Sequence, residues 1–308
     1  MVAFAPTFFL LMVGRVLLGV AVGGFWAMSI PITMRLVPEK LVSKALAIIF
    51  SAVSIATVLS APLGSFLDGL IGWRNVFILV AVIGAAAFVW QFFTLPSMPP
   101  TSSPRLKSLV NVLKRRPVRL GMFANMFAFA GYSVFFTYLR PFLENVTQVS
   151  VNTLSIILLV YGIGNLIGAI TAKFLLEKSL LMTLTLVPLA MGIFTLLLVF
   201  FGDDLLFTSL LIALWGFAFG CVQVGWPTWV TKAVSDEAES AGSLIVAFTQ
   251  IAITLGAGVG GLVYDQGGIN ITFELGGVIL FIAALVALFA LKGVKWNAVT
   301  TGSNKLQL

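Results

Sequence analysis

The stretch that decides the fold is residues 180–201, LLMTLTLVPLAMGIFTLLLVFF, which contains no charged side chain. About 20 helical residues cross the roughly 30 Å hydrocarbon core of a bilayer, so this run has the length of one transmembrane helix. On either side of it, breaks that are charged or rich in Gly, Pro or Asn separate further apolar runs. The sequence predicts nine spans, at residues 7–31, 45–67, 74–95, 119–140, 152–175, 180–201, 205–231, 241–263 and 272–294. The predicted fold class is therefore an all-α polytopic membrane protein.

The composition agrees with this and excludes several classes of protein. Of the 308 residues, 60% are hydrophobic and 9% are charged, against about 45–50% and about 25% in ordinary soluble domains. A chain this apolar is not disordered, and its single cysteine, Cys221, excludes an internal disulfide. The chain has no histidine and no paired acids inside the spans, which argues against a membrane enzyme and predicts no metal or other cofactor.

The basic residues lie on alternate connections between the spans, which predicts the orientation of the chain. Fifteen Lys and Arg residues occur near the connections after the first, third, fifth, seventh and ninth spans, and two occur on the opposite side. Since cytoplasmic loops are enriched in Lys and Arg, we expect the C-terminus in the cytoplasm and residue 1 outside. The same distribution argues against a nucleic-acid partner, because the charges form no stripe along one amphipathic face. An odd number of spans with an outward start leads us to expect that leading helices are missing.

The longest break between spans, residues 96–118, predicts a basic cytoplasmic linker. Its first part is rich in Pro and Ser and is expected to be extended, whereas residues 105–116 are expected to form a basic amphipathic helix on the inner leaflet. The linker divides the chain into three spans at residues 1–95 and six spans at residues 119–295. Residues 296–308 are expected to form a cytoplasmic tail.

Several segments carry a family resemblance. They are GRVLLGVAVGGFWAMS at residues 14–29, SIATVLSAPLGSFL at 54–67, GWRNVF at 72–77, FFTYLRP at 135–141 and VGWPTWVTKAVSDEAESAGS at 224–243. Their order resembles the major facilitator superfamily in its proton-antiporting efflux branch, and most closely the purine ribonucleoside efflux pumps of bacterial inner membranes. The resemblance implies two six-helix bundles that rock around a midplane cavity, with this chain starting at the fourth helix and the first three lacking.

Arg15 lies well inside the first apolar run, where a charge costs roughly 2.5–3.5 kcal/mol and requires a partner or water. The resemblance implies that Arg15 senses protonation or substrate, and the alternative is an arginine that reaches back to the outer interface. Pro62 and Gly64 belong to an element that the resemblance implies limits leak through the antiporter, although Ser65 stands where a second glycine is more common. An ordinary proline kink is the alternative.

Glycines spaced four residues apart are expected to let helices pack closely. These pairs are Gly19 with Gly23, Gly164 with Gly168, Gly216 with Gly220, and Gly256 with Gly260.

Polar and aromatic residues inside the spans are the candidates for solute binding. They are Trp26, Ser54, Asn125, Tyr132, Tyr161, Asn165, Gln223, Trp226 and Gln250. Singly, each is more often a packing residue than a ligand. Together they describe a neutral chamber rich in aromatic rings and amides, which suits a nucleoside and suits a sugar or an uncharged drug almost as well.

The predicted function is proton-coupled efflux of purine ribonucleosides or similar neutral solutes by alternating access, with a small-molecule solute, protons and lipid as partners and a monomeric state. All the acidic residues lie in loops or at span ends, so we expect the proton-binding acid in the leading helices, and the alternative is that coupling uses a substrate or interface group. The alternatives are an exporter of sugars or drugs, and a folded fragment that does not transport.

Overall fold

The computed structural model describes residues 1–37, 39–97, 106–234 and 238–292. A short 3-10 turn at Val2–Phe4 is followed by nine α-helices, and no strand occurs in these ranges. The helices are α1 Phe8–Leu36, α2 Glu39–Ile71, α3 Trp73–Thr94, α4 Leu106–Lys114, α5 Arg116–Asn145, α6 Val151–Lys178, α7 Leu180–Phe201, α8 Leu205–Ala233 and α9 Ala238–Leu291. The predicted all-α fold is confirmed.

The helix boundaries follow from local chemistry. Ser150, Ser179 and Asp204 cap the N-termini of α6, α7 and α8, each accepting a hydrogen bond from a backbone N–H in the first turn. Gly72 separates α2 from α3 with a φ of 78°, in the left-handed region that glycine reaches without strain.

The longest helix, α9, contains two of the predicted spans. Its regular geometry breaks at Gly268, where φ is 77° and ψ is −173°. The arms at 238–267 and 269–291 therefore correspond to the predicted spans at 241–263 and 272–294. Counted by length and hydropathy over the described residues, seven helical segments are able to cross a membrane, and the 52-residue segment Ser240–Leu291 accounts for two predicted spans.

The predicted span at 45–67 lies in α2, where many side chains fall outside the described residues. In the linker, α4 is one or two residues shorter at each end than the predicted helix at 105–116. Residues 98–105 and the tail at 296–308 lie outside the described residues.

The core lies among α5 to α9. The most extensive contact is between α5 and α9, followed by that between α6 and α8, and α7 packs against both α8 and α9. In contrast, none of the residues of α3, all of which are described, is buried. The N-terminal helices meet this core mainly where α2 packs against α6.

Candidate functional site

Five aromatic side chains from three helices form one stacked group, which we call the aromatic platform. Its members are Tyr132 and Phe136 from α5, Tyr161 from α6, and Trp215 and Phe219 from α8. The rings of Tyr132 and Phe219 are parallel within 2°, with centroids 3.8 Å apart. On α5 and on α8 the two rings are four residues apart, which places them on one face of each helix.

The platform is buried on one side and accessible on the other. Trp215 and Phe219 are almost completely buried, whereas Tyr132 and Phe136 are half-buried. Trp215 also stacks on Phe135, at a centroid distance of 3.9 Å and an interplanar angle of 15°. The inner rings therefore support the outer rings, which keep part of their surface exposed.

Buried polar atoms lie on the same helices as the platform. Asn165 is 1% exposed, and its Nδ2 donates to Gln223 Oε1 at 3.4 Å, which joins α6 to α8. Neither Asn165 Oδ1 nor the hydroxyl of Tyr161 has a hydrogen-bond partner among the described residues. Burial without a partner is costly for a polar group, so each of these two atoms has a hydrogen-bonding capacity that no described residue satisfies.

Asn125 belongs to a different part of the core. It is completely buried, and its Nδ2 donates to Thr249 Oγ1 at 2.9 Å. Further along the same pair of helices, Ser133 and Tyr138 donate to backbone carbonyl oxygens of α9. These bonds connect α5 to the first arm of α9, so the structure gives Asn125 a helix-packing contact.

Trp226 is completely buried, and its ring meets the edge of Trp229 at 5.5 Å. The ring of Trp229 occupies the space beside Gly121, where a Cβ would collide with it. The indole nitrogens of Trp226 and Trp229 have no hydrogen-bond partner among the described residues. No ring contact joins this pair to the aromatic platform in the described part of the chain.

Gln250 lines a separate cleft of about 530 Å³ between α1 and the first arm of α9. The other lining residues are Gly19, Gly23, Ser243, Val246, Ala247, Ile251, Thr254 and Leu255. Gly19 and Gly23 face this cleft without a close neighbour, since a Cβ at either would meet no described atom within 4 Å. For this pair, the prediction of close helix packing is wrong.

The other glycine pairs do pack closely. A Cβ at Gly164 or Gly168 would collide with a carbonyl oxygen of α8, and one at Gly216 or Gly220 with a carbonyl oxygen of α6. Gly256 and Gly260 lie against α5, where a Cβ at Gly256 would collide with the carbonyl oxygen of Ala130 and one at Gly260 with the ring of Tyr138. For these three pairs, the prediction is confirmed.

Among the predicted residues of the first two helices, Arg15 is exposed, and its guanidinium carbon lies 5.2 Å from the centroid of Phe77 on α3. It has no ion-pair partner among the described residues, so the aromatic ring is its observed neighbour.

Pro62 lies inside α2, and a Cβ at Gly64 would meet no described atom within 4 Å. Trp26 is half-buried with its ring edge-on to Phe25, and the side chain of Ser54 lies outside the described residues.

The sequence reasoning missed Trp215 and Phe219, which contribute the buried half of the platform. A signal for them was present, because Trp215, Phe219 and Gln223 follow one another at four-residue spacing along α8.

The sequence reasoning also missed Thr195 on α7, which bonds to Trp215, and the contact between Asp68 and Arg140. Neither contact has a signal in the sequence, since each joins two different helices and depends on how they pack.

The chemistry available at the platform is that of a neutral binding site. Its five rings and the neighbouring amides of Asn165 and Gln223 provide stacking surfaces, donors and acceptors but no formal charge. Within the described residues, no group of three or more His, Cys, Asp or Glu side chains is placed to hold a metal ion.

Comparison with known proteins identifies the family. The family model described as Major Facilitator Superfamily matches residues 1–246 and, in a second match, residues 141–305. The chain belongs to the Major Facilitator Superfamily. This confirms the resemblance stated from the sequence and makes the protein a multi-pass membrane transporter rather than an enzyme.

Members of this superfamily with curated names are similar over most of the chain. The purine ribonucleoside efflux pumps NepI of Salmonella typhimurium (strain LT2) and Salmonella enteritidis PT4 are each 44% identical over 286 residues, which is 93% of this chain and 72% of theirs. A bacterial homologue of the human lysosomal transporter Spinster has the same fold. Its inward-facing, unoccupied crystal structure gives a TM-score of 0.60 at 19% identity, over 85% of this chain and 73% of that one. The inward-facing, occupied structure gives 0.56 at 18% identity.

Proposed function

We propose that this chain exports purine ribonucleosides across the bacterial inner membrane in exchange for protons, by alternating access. The observation that carries the proposal is the aromatic platform, together with two buried atoms of α6, the Tyr161 hydroxyl and Asn165 Oδ1, that have no hydrogen-bond partner among the described residues. The names of the relatives that are 44% identical support the choice of solute.

The platform suits a purine ribonucleoside in two respects. Stacking of a base on an aromatic ring contributes about 1–3 kcal/mol, and Tyr132 and Phe136 are the platform rings that would provide it, since both are only half-buried. The hydroxyl of Tyr161 and the amides of Asn165 and Gln223 supply hydrogen bonds for the base edge or the ribose hydroxyls.

The absence of charge among these residues favours nucleosides over nucleotides. A phosphate that leaves water requires cationic or strong hydrogen-bonding partners, and neither the five rings nor the two amides carry a positive charge. We therefore expect inosine to bind and inosine monophosphate not to compete with it.

The remaining features of the proposal concern how the chain is arranged in the membrane. Residues 1–95 and 119–295 would belong to two bundles joined by the linker at 96–118, with the tail at 296–308 and the C-terminus in the cytoplasm. The pattern of basic loop residues supports this orientation. The conformational change would involve Arg15, Pro62 and Gly64. The solute path would also include Trp26, Ser54, Asn125, Trp226 and Gln250. The protein would work as a monomer.

The experiment that tests the proposal is uptake of radiolabelled inosine into inverted membrane vesicles that contain the full chain. An imposed proton gradient, acidic inside the vesicle, should drive uptake, and a protonophore should abolish it. Tyr132→Leu and Asn165→Ala should each reduce uptake several-fold. Phe200→Leu is the matched control, because Phe200 is 76% exposed on α7 and lies outside the platform.

Three results would contradict the proposal in different ways. Absence of inosine uptake with the protein present in the vesicles would remove the proposed function. Uptake of a sugar or an uncharged drug in place of inosine would favour the alternative function, export of another neutral solute. Uptake insensitive to the protonophore would remove the proton coupling alone.

A further inference from the structure

Trp215 holds a central place in the aromatic platform. Its ring stacks on Phe135 at 3.9 Å and lies 5.8 Å from Phe219 and 6.2 Å from both Tyr132 and Tyr161. It is completely buried, so no face of its ring is exposed to solvent. Any rotation of Trp215 within its plane of stacking therefore changes the surface against which its neighbours rest.

One side chain from outside the platform bonds to the indole. The Nε1–H of Trp215 donates to Thr195 Oγ1 on α7 at 2.9 Å, and the hydroxyl of Thr195 itself donates to the carbonyl oxygen of Met191 at 2.8 Å. Since the hydroxyl proton is used in the bond to Met191, the lone pairs of the oxygen are directed at the indole. Both Thr195 and Trp215 are completely buried, so water does not compete for this bond.

This bond distinguishes Trp215 from the other buried tryptophans of α8. Trp226 and Trp229 are buried to the same degree, yet their indole nitrogens have no hydrogen-bond partner among the described residues. Stacking defines the plane of a ring, whereas a hydrogen bond at one edge also specifies the direction in which that edge points.

We propose that Thr195 is a positioning residue for solute binding, which acts by fixing the orientation of the Trp215 ring and through it the platform. The inference rests on the proposed function, in which the platform stacks on the base of a ribonucleoside. Helix α7 contributes no ring to the platform, so the effect of Thr195 on the solute passes through Trp215.

The experiment measures inosine binding to the purified full chain by isothermal titration calorimetry. Thr195→Val keeps the shape of the side chain and removes the acceptor, and should weaken inosine binding about fivefold, the value of one buried hydrogen bond. Thr195→Ser keeps the hydroxyl and should restore affinity to within about twofold of the wild type, on the same scale. Thr183→Val is the matched control, because Thr183 lies on the same helix and makes the same bond to a carbonyl four residues earlier without a tryptophan partner.

A spectroscopic readout separates positioning from a general loss of structure. In protein labelled with 5-fluorotryptophan, the ¹⁹F resonance of Trp215, assigned by its disappearance in Trp215→Phe, should shift in Thr195→Val and not in Thr183→Val. If Thr195→Val fails to fold, Trp215→Phe provides the test, because phenylalanine keeps an aromatic ring and lacks the N–H donor. The inosine affinity of Trp215→Phe should fall to the level expected for Thr195→Val. Adding Thr195→Ser to Trp215→Phe should not change the inosine affinity any further.

The inference is overturned if Thr195→Val binds inosine as the wild type does while the Trp215 resonance has shifted. It is also overturned if Thr195→Ser is as weak as Thr195→Val, since the methyl packing rather than the hydroxyl would then matter. Failure of the wild type to bind inosine would overturn the proposed function and this inference together, which distinguishes that result from the first two.

Discussion

Glycines with identical spacing behave in opposite ways in two regions of this molecule. On α6 and α8, the helices cross so closely that a Cβ at Gly168 would collide with the carbonyl oxygen of Phe217, and one at Gly220 with that of Asn165. On α1, a Cβ at Gly19 or Gly23 would meet no described atom within 4 Å. One pattern therefore provides backbone contact in the first region and an open cleft in the second.

A similar difference in burial separates the core helices, α5 to α9, from α3, which stands for the N-terminal helices α1 to α3 because all its residues are described. The group from α5 to α9 buries large rings, whereas α3 has no buried residue at all. The mean hydropathies of the two groups overlap, since lipid is as apolar as the interior of a membrane protein. The comparison teaches that hydropathy locates a membrane helix and does not tell which of its faces meets another helix.

The largest effect that sharpens this comparison is expected from Gly168→Ala. The obstacle is a backbone carbonyl, which cannot move aside as a side chain does, so we expect a loss of about 1–3 kcal/mol in the free energy of unfolding. The measurement is unfolding of the purified protein in mixed micelles by titration with a denaturing detergent. Gly19→Ala is the control and should not destabilise the protein. Equal losses in both variants would break the distinction between the two regions.

A smaller effect is expected from the bond between Asn125 and Thr249, which connects α5 to α9. A double-mutant cycle with Asn125→Ala and Thr249→Val should give a coupling energy of about 1 kcal/mol, the net value of a buried hydrogen bond. Thr254→Val is the matched control, because its hydroxyl bonds within its own helix, to the carbonyl of Gln250. Coupling between Asn125→Ala and Thr254→Val of the same size would contradict this assignment.

The smallest effect is expected where the two groups of helices meet through charge. Arg140 Nη1 lies 3.5 Å from Asp68 Oδ2 on α2, and its Nε lies 2.8 Å from Glu144 Oε1 one turn along α5. Because the Arg140 and Asp68 side chains are 48% and 34% exposed, their coupling should be only about 0.2–1 kcal/mol. It should disappear at high salt.

The measurement for this contact is a double-mutant cycle of Asp68→Asn with Arg140→Gln at low and high ionic strength. Glu144→Gln is the control, since Glu144 pairs with Arg140 within one helix and does not join the two groups. Coupling above that range, or unchanged by salt, would mean that the contact between α2 and α5 is stronger than its exposure implies.

Part of the candidate site could be predicted from periodicity along single helices. Aromatic and amide residues recur on one face of their helices, which predicts Tyr132 and Tyr161, and the structure stacks both into the platform. The same pattern predicts Asn165 and Gln223, and the structure brings them together. Whether these residues bind solute stays a prediction.

The rest of the site depends on how the helices pack against one another, which periodicity along a single helix does not give. The pattern around Trp226 resembles that around Tyr132, yet the structure places Trp226 with Trp229 and away from the platform. Gln250 lies in the cleft beside α1, and Asn125 pairs with Thr249. Thr195 looks like an ordinary helical threonine until its distance to Trp215 is known.

The sequence by itself determined the membrane-spanning character of the chain, the positions of its helices and its family. These follow from hydropathy, capping residues and glycine breaks, which act over a few neighbouring residues. Only the tertiary structure decided which glycines pack against another helix, which rings stack, and which buried polar atoms lack a hydrogen-bond partner among the described residues. The physical reason is that in a lipid environment no hydrophobic difference marks the face that turns inward, so those contacts are set by the fit between the surfaces of packed helices.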